Sequence, residues 1–159
     1  MTKKTTFDGL TIKKLKSKDA ACFVKISNGS GMAQYLSYFR ARNVSEAEKI
    51  IAKNNRYGYA MYGLFVKRIG LVSVFYVSFD TTGGAEISYF TGEEYCGNDY
   101  ATLGVQLLAQ SLSKNLSYFT FAIKEKNAAS LAVQNKLGSK EFPSTTRAYR
   151  HFRYNFAGL

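Results

Sequence analysis

Residues 93–108, EEYCGNDYATLGVQLL, set Gly97, Asn98 and Asp99 directly ahead of an amphipathic run carrying Ala101, Val105, Leu107 and Leu108. A polar, glycine-bearing turn feeding a helix suits an anion. The first N–H groups of a helix lack intrahelical partners, and the helix dipole favours negative charge there. Asp99 works against this. It is a preferred N-cap type, whose carboxylate can accept from the same N–H groups a phosphate would take. Two unit charges about 4–5 Å apart at an effective dielectric near 20 repel by roughly 3–4 kcal/mol, and a side chain swung outward avoids most of that. Phosphate cradle and merely capped helix both stay open.

Other reactive side chains are few. Cys22 and Cys96 lie far apart without metal-ligand spacing, and His151 is the only histidine, so no metal is expected. Cys22 is expected on the core side of a helix. Cys96 stands where a helix N-terminus can depress a thiol pKa. No second member of a triad is near it in sequence, so a structural or incidental role is expected. His151 falls in a strand-like run, alternating with Tyr149 and Arg153, which reads as a strand histidine rather than a catalytic one. Glu86 is a carboxylate inside a β-rich segment and shares a strand face with Ser88 and Phe90. It reads either as a base or as an edge position meeting water.

The elements that must position these residues follow from period and punctuation. The run 9–15 predicts a strand, 17–28 a helix capped by Ser17, and 45–54 a second helix capped by Ser45. Runs 59–66 and 69–79 predict a hairpin, 80–84 a turn and 85–90 a strand. Then come a helix at 99–113, a strand at 116–123, a helix at 128–138 ended by Gly138, and a last strand at 147–156. Hairpins in the middle imply antiparallel pairing, and the strand–helix–strand unit at 85–123 implies a parallel pair. The expected fold is α/β (α+β): one mixed, mainly antiparallel twisted sheet with helices on both faces. One domain over 1–159 is expected, with 1–8 as a flexible tail.

Composition agrees with that plan. A chain of 159 residues, 46% hydrophobic and with a single proline, can bury a core and is not disordered. Twelve Tyr and twelve Phe favour sheet. The net charge of +11 admits an acidic partner, such as a phosphate-bearing cofactor, RNA or a membrane surface, or plain solubility. No nucleic-acid-binding signature accompanies it, so a nucleic-acid partner is not expected. No apolar run has membrane-spanning length or signal-peptide flanks, so a reduced, cytoplasmic protein without a membrane partner is expected.

Three motifs in order carry a resemblance. AEISYF (85–90) is similar to Ala-Glu-Ile-Gly-Tyr-Trp, EYCGNDYAT (94–102) to Glu-Tyr-Trp-Gly-Lys-Gly-Tyr-Ala-Thr, and NAASLAVQNKLGS (127–139) to Asn-x-x-Ser-x-x-Val-x-x-Lys-Leu-Gly-Phe. YLSYFRARNVSEAEKII (35–51) adds a weaker match. Together, over about 9–156, they resemble the GCN5-related N-acetyltransferase (GNAT) family, and within it the ribosomal-protein N-terminal acetyltransferases.

The resemblance implies a GNAT-like acyl-CoA acyltransferase fold, acetyl-CoA as donor and a primary amine as acceptor: a protein N-terminus, as on a ribosomal protein, or a small-molecule amine. It implies a pantetheine arm lying between the strands at 85–90 and 116–123, beside Tyr89, Phe90 and Thr91. It places Gly97, Asn98, Asp99, Tyr100, Ala101 and Thr102 around the pyrophosphate, and Asn127 and Ser130 at the pantetheine or thiol. An amine attacks a thioester only when unprotonated, so a base must take its proton. Glu86 is the candidate base and Ser130 the candidate acid for the leaving thiolate. Asn127 also reads as a plain N-cap, and Ser130 as a small packing residue. The chain departs from the pattern at Asp99 (for Gly), Cys96 (for Trp), Gln134 (for a frequent Tyr) and Ser139 (for Phe). These departures keep a second reading in view, a catalytically weakened binding or regulatory module with poor CoA affinity. A homodimer is conceivable through the edge of an aromatic last strand.

Overall fold

The computed structural model describes residues 5–29 and 35–157. β1 (Thr5–Phe7) and β2 (Leu10–Lys14) form an antiparallel hairpin. Thr5–Phe7 therefore leaves the expected tail and joins the sheet. α1 (Ala20–Ser27) follows a 3-10 turn at Ser17–Asp19. Ser17 is not the cap: Asp19 accepts a 2.8 Å hydrogen bond from the Lys16 N–H, and the helix starts one residue after it. α2 (Val44–Lys53) is capped by Asn43, not Ser45. Asn43 has extended backbone, and its side chain accepts from the Glu46 N–H at 2.9 Å.

The remaining elements are β3 (Tyr59–Val66), β4 (Gly70–Phe79), β5 (Gly84–Thr91), α3 (Tyr100–Leu112), β6 (Tyr118–Lys124), α4 (Ala128–Leu137), β7 (Lys140–Phe142) and β8 (Tyr149–Asn155). They build one eight-stranded sheet in the order β1-β2-β3-β4-β5-β6-β8-β7. Each neighbouring pair is antiparallel except β5 and β6, which are parallel as a strand–helix–strand crossover requires. β8 is not an edge strand. β7 pairs with it over 151–153, so the expected route to a homodimer along that edge is closed there. The two edges are three-residue strands, which offer little to another chain.

Each face of the sheet buries its own apolar cluster. Ile12, Leu64, Phe75, Val77, Ile87, Phe119 and Phe121 meet Val105 and Leu108 of α3 and Leu137 of α4. On the other face, Met61, Val74 and Phe90 meet Phe23 and Ile26 of α1 and Ile51 of α2. Cys22 is exposed, against expectation. It sits about 100° around the helix from Phe23, which points into the core. Gly104 fixes how closely α3 lies on the sheet, since a Cβ there would come within 2.1 Å of the Phe75 ring. That close seating sets where the N-terminus of α3 ends up.

Candidate active site

The parallel pairing of β5 and β6 is short. Only Gly84, Ala85 and Glu86 have partners across it: Tyr118, Phe119 and Thr120. β5 runs on to Thr91 against β4, and β6 runs on to Lys124 against β8, but they no longer pair with each other. The split opens a cleft of about 810 Å³ whose lining includes both strands, the start of α3 and one side of α4. Asp80 pins its closed end. Its carboxylate accepts from the Thr82 and Gly84 N–H groups at 2.8 and 2.9 Å and from the Tyr118 hydroxyl at 2.8 Å. Burial pushes the Asp80 carboxyl up, but these bonds outweigh it and hold it at about 2.

At the turn before α3 the Asp99 side chain does not act as a cap. Asp99 takes the left-handed conformation, φ 59°, that a glycine holds most easily. In that conformation its side chain makes no cap hydrogen bond to α3. It turns away and forms an ion pair with the Lys136 ammonium in the last turn of α4. The first N–H groups of α3 are thus not consumed by the aspartate. Beside them, Thr102 is 8% exposed, lines the cleft, and its hydroxyl has no hydrogen-bond partner among the described residues. Free N–H groups and an orphaned hydroxyl facing a cleft suit an anion's oxygens.

Farther along, Tyr89 leans over α4. Its hydroxyl donates to the Ser130 carbonyl at 3.4 Å and accepts from the fully buried Gln134 amide at 3.4 Å. Burial pushes the Tyr89 phenol up, and those bonds pull the other way. Asn127 caps α4, accepting from the Ser130 N–H at 3.2 Å, and also lines the cleft. The cap reading of Asn127 therefore holds, and the cap leaves the residue bordering the cleft.

Strand alternation puts Glu86 and Ser88 on the opposite face of β5 from Tyr89, with Phe90. Glu86 is exposed at the cleft where the split begins. Tyr38 and Tyr149 line the same end, and Tyr76 packs beside it. Burial, then Tyr59, Tyr38 and Glu86, push the Tyr76 phenol up. A carboxylate at the mouth of a slot between two strands can meet a group entering from one face while the other face holds a second ligand.

Glu86, Tyr89, Phe90, Thr91, Gly97, Asp99, Tyr100, Ala101, Thr102, Asn127 and Ser130 all line this one cleft. Asn98 does not. Its amide donates to the Tyr95 and Cys96 carbonyls at 3.0 and 3.4 Å and closes the turn from behind. Cys96 and His151 line the cleft, a place sequence reading did not give them. Lys136, Tyr38 and Tyr149 were not singled out either. Lys136 lay inside a quoted motif, two turns from Ser130 on the same helix, and Tyr38 inside the weakest match. Among the described residues no group of three or more His, Cys, Asp or Glu could hold a metal, and no helix is long and apolar enough to cross a membrane.

The family model described as an acetyltransferase (GNAT) domain matches residues 9–140. The chain belongs to the GNAT acetyltransferase family. The matched stretch runs from β2 into β7 and takes in the split strands and the whole turn before α3. Solved structures share this GNAT fold. An acetyl transferase from Salmonella typhimurium that modifies the N-terminal serine of a 50S ribosomal subunit protein superposes with a TM-score of 0.81 at 15% identity, covering 97% of this chain and 99% of that one. A ribosomal-protein alpha-N-protein acetyltransferase in complex with coenzyme A gives 0.80 at 14%, covering 96% and 98%. A spermidine N-acetyltransferase chimera from Vibrio cholerae and hSSAT gives 0.73 at 14%, covering 93% and 96%. No curated protein matches the sequence.

Proposed function

We propose that this GNAT protein is an acetyl-CoA-dependent N-acetyltransferase acting on a primary amine by direct attack in a ternary complex. The observation that carries it is the uncapped start of α3 at the end of the split between β5 and β6, with the Asp99 side chain turned away. The residues fit the donor. N–H groups at 99–102 and the Thr102 hydroxyl suit a diphosphate, and the unpaired edges of β5 and β6 suit the amides of an extended arm. Bound there, acetyl-CoA supplies an activated acetyl thioester. Glu86, open to the cleft, accepts the proton of the attacking amine. The Ser130 hydroxyl gives a proton to the departing thiolate and regains one from water. Asn127 holds the first turn of α4, and so Ser130, in place.

The acceptor is best sought among protein N-termini. That reading rests on the motif resemblance and on the ribosomal-protein acetyltransferases that share the fold. A field of +11 also works against polycationic amines. The rival reading, a catalytically weakened binding module with poor CoA affinity, draws on Asp99, Cys96, Gln134 and Ser139 together, and the absence of a cap hydrogen bond from the Asp99 side chain to α3 weakens the first of those grounds.

Glu86→Gln tests the mechanism. Turnover with a peptide acceptor is expected to fall on the order of a hundredfold or more, with acetyl-CoA affinity nearly unchanged. An unchanged rate at saturating acceptor removes Glu86 from the reaction.

A further inference from the structure

Asp99 and Lys136 bridge the start of α3 and the last turn of α4 across the cleft, and both line it. Their side chains are 58% and 55% exposed, so the pair is screened by water and readily exchanged. Among the described residues, the other basic side chains lining the cleft have contacts elsewhere: Lys124 lies over the Tyr35 ring at 5.9 Å, and the His151 ring lies 5.5 Å from that of Phe142. Lys136 is the cation tied to the turn at 97–102. Two further features there point to an anionic ligand. The helix N-terminus is uncapped, and the buried Thr102 hydroxyl is unpartnered. In this setting the Asp99 carboxylate occupies the lysine that an anion in the cradle would meet.

We propose that Lys136 is a donor-binding residue and that Asp99 competes with the donor's diphosphate for it. This rests on the acetyl-CoA reading above. A diphosphate carries more charge and more acceptor oxygens than one carboxylate, so it takes over the ammonium and leaves Asp99 to solvent. The aspartate that departs from the family pattern then acts as a built-in weak competitor. It sets donor affinity without blocking the cradle.

The test is a cycle of wild type, D99N, K136A and D99N/K136A, each titrated calorimetrically with coenzyme A at low salt. Pantetheine, which lacks the diphosphate, is the control. Asparagine tolerates the left-handed backbone, and both positions are exposed, so thermal melts should show all four variants folded. In the D99N background, where Lys136 is free, K136A is expected to weaken CoA binding roughly tenfold, the worth of one charge-assisted hydrogen bond. In the wild-type background the same change should cost clearly less, because the lysine's bond to Asp99 must first be broken. Pantetheine should bind all four alike. Equal CoA affinity of D99N and D99N/K136A overturns the proposal while leaving the donor reading intact, as does an equal loss for pantetheine. No CoA binding by any variant overturns the donor reading and this proposal with it.

Discussion

Asp80 and Asp99 are both turn aspartates, and their hydrogen bonds give them different work. Asp80 accepts from two backbone N–H groups and from Tyr118, and is held at about 2 against an ordinary 3.8. A carboxyl depressed on folding contributes stability that is present above its unfolded pKa and lost as pH falls through its folded pKa. Wild type is therefore expected to lose part of its stability between about pH 4 and pH 2, and D80N to lack that acid limb. Urea midpoints against pH check this, and parallel curves for the two proteins would contradict it. The turn at 80–84 was legible from its residue types, but the bond to Tyr118, 38 positions on, was not. Asp99 shows the same division. The sequence marks it as a departure at a glycine position and as a possible cap. What turns its side chain away from the cap is a left-handed backbone and a lysine 37 residues away, and neither has a local signature.

The long, periodic elements emerge where the pattern places them, because a half-buried strand or helix must alternate with a fixed period. β1 and β7 were not legible, since three residues carry no period. The Asn43 cap was missed because Asn and Ser both serve, and only the backbone at 43 shows which one stands outside the helix. The split of β5 from β6 was implied by the family resemblance alone. No residue pattern announces where two paired strands stop pairing. α3 is the element on which the site depends, and Gly104 controls its seat. A Cβ at 104 would lie 2.1 Å from Phe75, so Gly104→Ala must push α3 off the sheet. Overpacking of this kind costs typically about 1–3 kcal/mol. Thermal unfolding should report that loss, and donor affinity should fall because the cradle moves with the helix. A variant as stable as wild type would mean that α3 has slack in its packing.

At the scale of the whole molecule, one sheet with a different core on each face brings the neighbouring motifs at 85–90 and 94–102 and the distant one at 127–139 to a single cleft. Eleven of the twelve residues picked out by type, spacing and resemblance line it, and Asn98 shapes the turn from outside. Type and order were legible because the chemistry restricts which residues can serve. The end proposed for the acceptor, with Tyr38 and Tyr149 around Glu86, was not, because those residues come from far-apart segments and share no motif. The charge of +11 favours an anionic ligand over a cationic one at long range, so the proposed donor binding is expected to weaken with salt. Calorimetric titration with acetyl-CoA at low salt, with ATP as the control anion, tests the central claim most directly. Micromolar binding that ATP does not match is the predicted result. No binding at millimolar acetyl-CoA would contradict it and would mean that this cleft does not hold the donor.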